Sequence, residues 1–348
     1  MMEQHSYLDG KAVLVTGGTG SFGQRFIDLA FRESAPREIV VFSRDEFKQS
    51  EMAKRFPPER YPIRYFLGDV RDKERLMRAF VGIDFVVHAA ALKQVPALEY
   101  NPFEAVKTNI LGAQNVVEAA LERSVKKVIA ISTDKAVNPI NLYGATKLAM
   151  EKIFVAANAM VRYRDIHFAV VRYGNVLGSR GSVMPFFLEL LEAGCKEFPL
   201  TDKAMTRFWI TLDQGVKLVN LALADGEGGE IFVPKIPSMK LLDLLEAFSG
   251  DVSYREVGIR PGEKIHETLI GEDEGRNAFD MGSYYIIIPQ YTFQQKGQPN
   301  RQRGSLVSQP FRYRSDLNDR WLTVDELRVV LDQIRAKSTS KGQFHENS

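Results

Sequence analysis

The chain carries one cysteine, Cys195, in 348 residues. A lone thiol cannot close an internal disulfide or build a cysteine zinc site, which points to a reducing compartment and to no metal centre. An excess of charge of either sign is also missing. The 46 Lys and Arg face 44 Asp and Glu, a formal net charge of +2, which offers no electrostatic footing for nucleic acid or an anionic membrane surface. No apolar run is long enough to span a bilayer. The opening "MMEQHSYLDGK" lacks the apolar core of a signal peptide, and no internal repeat of solenoid type is visible. These absences predict a cytoplasmic protein without nucleic-acid or membrane partners.

What is present is ordinary for a globular protein, with 45% hydrophobic and 26% charged residues, and the length suggests about two domains. Short apolar runs rich in Val and Ile, "KAVLVTG", "EIVVFSR", "IRYFLGD", "DFVVHAAA", "KKVIAIST" and "HFAVVRYG", read as buried strands. Helical patterns lie between them, over Ser21 to Ser34, Asp72 to Val81, Pro102 to Arg123 and Asn141 to Tyr163. Six such units in a row predict an α/β fold, a Rossmann-like doubly wound parallel sheet. After about Gly174 the rhythm becomes mixed, so residues 1–174 read as the dinucleotide domain. Residues 175–337 read as mainly a smaller mixed α/β substrate domain, with some segments returning to the first. Gln290 to Arg320 reads as a long polar surface excursion, and Thr323 with Glu326 forms a capping box before the last helix. The tail over 338–348 is expected to be disordered.

"TGGTGSFG" ends the first strand and opens the first helix. Its glycines allow a tight turn and let backbone approach a pyrophosphate at a helix N-terminus. Gly17, Thr19, Gly20, Ser21, Phe22 and Gly23 are therefore expected against a dinucleotide. An acid at the tip of the second strand normally marks NAD. Here that strand ends "FSRDEFK", and Ser43, Arg44 and Lys48 suit a 2′-phosphate, so NADP is favoured over the NAD that Asp45 could serve. Asp69 is placed to accept from the adenine amino group or to cap the next helix, with Val70 beside it. Ala89 in "HAAALK" leaves room for cofactor backbone, Lys93 points towards phosphates or substrate, and His88 reads as packing.

Tyr143 and Lys147 lie four apart on one helix face. A free tyrosine titrates near pH 10, and a nearby ammonium favours the phenolate, which can take a hydroxyl proton while hydride leaves for the cofactor. Upstream stands Asp134-Lys135, an acid beside an amine that simple hydride transfer does not need. A surface ion pair is the plain structural alternative.

This arrangement resembles the extended short-chain dehydrogenase/reductase superfamily from Lys11 to about Leu331. Within it, "FSRDEFKQSEMA", "AALKQVPALEYNP", "STDKAVNPINLYGATK", "VRYGNVLGSRGSVMPFF", "MTRFWITLDQGV" and "GIRPGEKIHE" are similar to the inverting UDP-N-acetylglucosamine 4,6-dehydratases. Sugar-nucleotide epimerases of the superfamily usually carry small or hydroxyl residues at 134 and 135, and retaining dehydratases carry Asp-Glu. The resemblance implies UDP-N-acetylglucosamine as substrate, inversion at C5, and a first step in pseudaminic acid or related surface-glycan synthesis. It also implies a homo-oligomer, dimer or hexamer. By the same resemblance Tyr143 is the oxidation base, Lys147 tunes it and holds the ribose, and Thr133 orients the C4 oxygen. Asp134 is the acid for O6 and Lys135 the base at C5. Lys147 nearby and a dry site are expected to keep Lys135 neutral. Val176 flanks the nicotinamide, while Lys93, Asn175, Arg180, Arg207 and Arg260 contact the nucleotide sugar. The rival readings are an epimerase or reductase on the same fold and a non-catalytic dinucleotide sensor.

Overall fold

The computed structural model describes residues 6–161, 164–178, 183–248, 253–289 and 304–342. In chain order its elements are β1 (Ala12–Thr16), α1 (Ser21–Glu33), β2 (Glu38–Ser43), α2 (Glu46–Arg55), β3 (Ile63–Leu67), α3 (Lys73–Ala79), β4 (Phe85–His88), α4 (Val95–Tyr100), α5 (Pro102–Ala105), α6 (Gly112–Arg123), β5 (Lys127–Thr133), α7 (Leu142–Ala157) and β6 (His167–Tyr173). They continue with β7 (Asn175–Val176), α8 (Val183–Glu192), β8 (Glu197–Leu200), β9 (Thr206–Ile210), α9 (Leu212–Asp225), β10 (Ile231–Pro234), β11 (Ser238–Lys240), α10 (Leu241–Phe248), β12 (Ser253–Glu256), β13 (Thr268–Ile270), α11 (Glu272–Gly275), β14 (Ala278–Asp280), β15 (Tyr284–Ile287), β16 (Ser305–Leu306), β17 (Tyr313–Arg314) and α12 (Val324–Gly342).

Two units form. The first takes Met1–Tyr173, Thr211–Lys235 and Leu269–Arg312, and the second takes Gly174–Ile210, Ile236–Thr268 and Tyr313–Ser348. The first unit is built on a ten-stranded sheet of order β16-β14-β15-β10-β6-β5-β4-β1-β2-β3. From β3 to β10 every pairing is parallel, and β15 then pairs antiparallel to β10. Val13, Leu14, Val15, Val40 and Val86 have no exposure at all. Strands covered on both faces need such continuous apolar runs. The order reverses between β1 and β4, and a doubly wound sheet holds its ligand at the carboxyl ends of the strands around such a switch point. The strand ends there carry Gly17, Ser43, Ala89 and Thr133.

The second unit holds a three-stranded sheet, β11-β9-β7, and a two-stranded one, β12-β8. Its core gathers Met184, Phe187, Phe198, Trp209, Met239 and Leu244 with Leu327 and Leu331 of α12. The capping box forms at the start of α12: Glu326 donates its amide to the Thr323 hydroxyl, and Thr323 donates its own to the Glu326 carboxylate.

Two expectations change. The helix over Pro102 to Arg123 is interrupted by a π-helical turn, Val106–Leu111. The wide turn carries Asn109, whose amide bonds outside the helix. The tail stays helical through Gly342, because no glycine or proline interrupts the sequence from Leu322 to Lys341. Of the expected irregular segments, 290–303 and 343–348 lie outside the described residues, and the remainder of Gln290 to Arg320 contains β16 and β17.

His88 is a packing residue. It is buried, its Nδ1 lies 2.8 Å from the Thr16 hydroxyl, and its ring stacks on Phe154. Burial, with the charge of Lys147 adding, holds its pKa down to about 3. The unfolded chain therefore binds a proton near pH 6.5 that the native protein refuses until about 3, and stability falls as pH drops through that window. Between pH 7 and 5 this costs about 2 kcal/mol. Urea unfolding at the two pH values should show a loss smaller by that amount in His88→Asn, and an equal loss would exclude His88 as the source.

Candidate active site

The first helix starts without a side-chain cap. Gly20 occupies the N-cap of the 13-residue α1, and among the described residues no side-chain cap bond is made there. The first-turn amides point their donors and the positive helix end at whatever occupies the loop. Gly17 sits at φ +67°, and a Cβ there would lie 2.9 Å from the Ala90 backbone. A Cβ on Gly23 would lie 2.5 Å from the Gly18 backbone, so only glycine lets α1 reach the loop. An anion-binding turn with its glycines enforced by contact fits a dinucleotide pyrophosphate. Thr19 is buried in the loop and its carbonyl accepts from Gln24. Ser21 and Phe22 lie in the first turn of α1, and Ala89 donates its amide to the Thr16 carbonyl at 3.2 Å.

At the tip of β2 the candidate acid is already engaged. Asp45 caps α2 by accepting from the Lys48 amide at 3.0 Å, and its carboxylate pairs with the Lys48 ammonium at 2.7 Å. These bonds hold its carboxyl below the usual range. Arg44 is half exposed, 3.7 Å from Asp69, and Asp69 also accepts from Arg71 at 2.7 Å. Val70 is buried, and its side chain would lie 2.8 Å from a Cβ on Gly112.

The side chains expected to carry the chemistry come from the end of β5 and the start of α7. Thr133 caps a short 3₁₀ turn, Asp134–Ala136, accepting the Lys135 amide at 3.4 Å. Its hydroxyl donates to Asp134 at 2.9 Å, and the Lys135 ammonium donates to the same carboxylate oxygen at 3.0 Å. The Asp134 side chain is fully buried and that of Lys135 is 27% exposed, so this is no surface ion pair. Asn141 caps α7 through the Gly144 amide at 2.8 Å. A Cβ on Gly144 would lie 2.1 Å from the Lys135 carbonyl. Glycine there is what allows α7 to press onto the 3₁₀ turn and bring Tyr143 to Lys135.

The electrostatics differ from the expected pairing. Burial pushes the Tyr143 phenol up to about 12, Lys135 opposes that, Asp134 adds to it, and a hydrogen bond with Thr133 opposes it. Lys135 is thus the cation placed to favour the phenolate. Lys147 donates instead to the Ile131 carbonyl at 2.5 Å and lies 3.0 Å from the Met150 sulfur. Burial brings it down to about 8 against the pull of Glu151. A desolvated ammonium takes the nearest backbone acceptor, which the spacing of Tyr143 and Lys147 alone does not reveal. The amine set against Lys135 is Lys93, lowered by burial and then by the Lys135 charge. Coulomb repulsion is mutual, so each opposes protonation of the other.

Asn109 carries no motif, yet it joins two parts of the site. Its amide accepts from the Leu92 N–H at 2.8 Å, donates to the Leu92 carbonyl at 2.9 Å, and donates to the Thr146 hydroxyl at 3.0 Å. It ties the Lys93 loop to the Tyr143 helix. The signal was a polar residue at an otherwise buried helical position, which resembles any satisfied core amide.

The remaining candidates lie in the second unit or outside the described residues. Asn175 and Val176 form β7, paired with Trp209 and Ile210. Arg207 is largely buried, donating to the carbonyls of Thr206 and Ile265 at 2.7 and 3.0 Å, with the Glu267 carboxylate at 3.9 Å. Arg260 is exposed. Arg180 lies outside the described residues.

Comparison with known proteins agrees with this geometry. The polysaccharide biosynthesis protein family model matches residues 13–289. A UDP-N-acetylglucosamine 4,6-dehydratase (inverting) of Campylobacter jejuni is 50% identical over 92% of this chain and 97% of its own. A protein of Rickettsia canadensis named UDP-glucose 4-epimerase is 42% identical over 80% of this chain and 82% of its own. The crystal structure of Pen from Bacillus thuringiensis superposes with a TM-score of 0.83 at 38% identity, covering 94% of this chain and 98% of that one. With a cradle for a dinucleotide, a Tyr-Lys helix and near-complete coverage of these relatives, the chain belongs to the polysaccharide biosynthesis protein family, alongside the inverting UDP-N-acetylglucosamine 4,6-dehydratase of Campylobacter jejuni.

Proposed function

We propose that the protein is a nicotinamide-dependent UDP-N-acetylglucosamine 4,6-dehydratase that inverts C5. The observation that carries the reading is the buried Asp134–Lys135 pair held against Tyr143 at the end of β5. A nicotinamide dinucleotide held by the loop of Gly17, Gly20 and Gly23 would supply the hydride acceptor for C4 and the hydride donor for C6. Tyr143 accepts the C4 hydroxyl proton, and the resulting ketone acidifies the C5 hydrogen. The Lys135 amine takes that proton, and Asp134 gives one to the departing O6 hydroxyl, which leaves as water. C5 is then reprotonated from the opposite face by a proton from solvent, and Lys135 releases the one it took to solvent. Tyr143 has gained one proton and Asp134 has lost one. Thr133, bonded to both, is placed to pass it across and reset the acid.

Lys135 is a cation while it favours the Tyr143 phenolate and must be neutral when it takes the C5 proton; passing its proton to Asp134, 3.0 Å away, gives both the amine base and the carboxylic acid for O6. The like charge of Lys93 favours that transfer. NADP is the dinucleotide this reading favours, because Asp45 is spent on capping α2 while Ser43 and Arg44 stand at the strand tip. Arg207 and Arg260 are the cations offered to the UDP pyrophosphate.

The name of the Rickettsia relative favours a second reading, a sugar-nucleotide 4-epimerase. NMR of the protein with UDP-N-acetylglucosamine in deuterated water separates the two. The expected product is a 6-deoxy-4-keto sugar carrying deuterium at C5 and none from solvent at C6. A product that keeps its C6 hydroxyl and is inverted at C4 would establish the epimerase instead.

A further inference from the structure

Gln49 is a buried amide in α2, a helix whose other residues are mostly charged or exposed. Its Nε2 lies 3.1 Å from the Ser43 carbonyl oxygen, 3.2 Å from the Phe66 carbonyl oxygen and 3.1 Å from the Ser43 hydroxyl oxygen. The two carbonyls fix which way round the amide sits, since a carbonyl oxygen can only accept and the amide oxygen cannot donate to it. The group facing Ser43 is therefore NH₂. The amide nitrogen shares two hydrogens among three oxygens and accepts none, so the Ser43 hydroxyl proton points elsewhere, and no hydrogen bond donated by it is found among the described residues.

We propose that Gln49 is a positioning residue for dinucleotide selectivity, holding the Ser43 hydroxyl as an outward donor at the tip of β2. Ser43 stands where dinucleotide folds meet the adenine ribose. An acid at that site accepts from a 2′-hydroxyl, whereas an oriented donor favours the oxygens of a 2′-phosphate. The inference rests on the NADP reading and adds the residue that enforces it from behind. The arginine nearest the tip, Arg44, remains half exposed and supplies charge without fixed geometry.

The test is calorimetric titration of the full-length protein, cleared of co-purified nucleotide, with 2′,5′-ADP and with AMP. The readout is the ratio of the two affinities, which a general loss of folded protein does not change. Wild type should prefer 2′,5′-ADP by at least about tenfold, as expected for charge-assisted bonds to a phosphate. Ser43→Ala, Gln49→Leu and Gln49→Glu should each lower that preference about tenfold, and Ser43→Ala with Gln49→Leu should lower it no further than either alone. Either Gln49 variant suffices if the other fails to fold. No preference in wild type would remove the NADP reading itself. A preference that survives both Gln49 substitutions, or losses at 43 and 49 that add, would overturn the role of Gln49 while leaving that reading intact.

Discussion

Lys135→Met should reduce dehydration by about 10³-fold or more, the upper part of the range for a positioned general base, while the protein still folds and binds dinucleotide. The substitution removes two things at once. It takes away the amine that removes the C5 proton and the cation that favours the Tyr143 phenolate. Lys135→Arg separates them. Arginine stays protonated in proteins, so it keeps a charge near Tyr143 and cannot serve as a base. Both variants should therefore show no solvent deuterium at C5, but Lys135→Arg should retain more C4 oxidation than Lys135→Met. Single-turnover measurement of 4-keto sugar against deuterium incorporation distinguishes them. C5 exchange at the wild-type rate in either variant would remove Lys135 from the base role and return it to a simple partner of Asp134.

Why some of this could be read from sequence and some could not follows from range. Each strand of the parallel sheet announces itself locally, since a strand covered on both faces must be apolar along its length, as "AVLVT" is. The loop glycines and the Tyr143–Lys147 spacing are likewise local. The antiparallel edge formed by β14, β15 and β16 was less legible, because "YYII" is half-buried and its partners lie across intervening segments. The interruption of the helix from Pro102 was invisible, since a π-helical turn changes the hydrogen-bond register and leaves the composition alone. The pairing of Lys93 with Lys135 joins residues 42 positions apart, as 135 − 93 gives. Glycine at 144 gave no sign that the Lys135 carbonyl presses against it. What the sequence could not show was which charges face one another once the chain is folded.

Arg172 is the clearest case, and its replacement should have the largest effect on stability. It lies in β6, inside a run that reads as a plain buried strand, and it has no exposure. Its guanidinium bonds the Glu151 carboxylate of α7 through Nε and Nη2 at 2.9 and 2.6 Å. It bonds the Glu274 carboxylate of α11 twice at 2.8 Å and donates to the Leu269 carbonyl at 2.9 Å. The neighbouring carboxylates hold the guanidinium charged against the cost of burial, and they in turn depend on it. Glu151 is 1% exposed, whereas Glu274 is 25% exposed and can turn towards water. Arg172→Leu should cost about 3–5 kcal/mol, because it strands the Glu151 carboxylate in the interior. Most of that loss should return in Arg172→Leu with Glu151→Leu, since an apolar replacement of a whole buried pair is often neutral or stabilising. Urea unfolding of wild type, of Arg172→Leu and Glu151→Leu singly, and of the double variant decides it. If the double variant were as unstable as the sum of the singles, the cost would come from packing around β6 and the carboxylate would not be its source. The same pair of variants bears on catalysis, because Glu151 is the charge that holds the Lys147 ammonium up against burial. The double variant should recover the fold without recovering the activity, leaving Lys147 neutral near pH 7 where the wild-type group, at about 8, is still mostly charged.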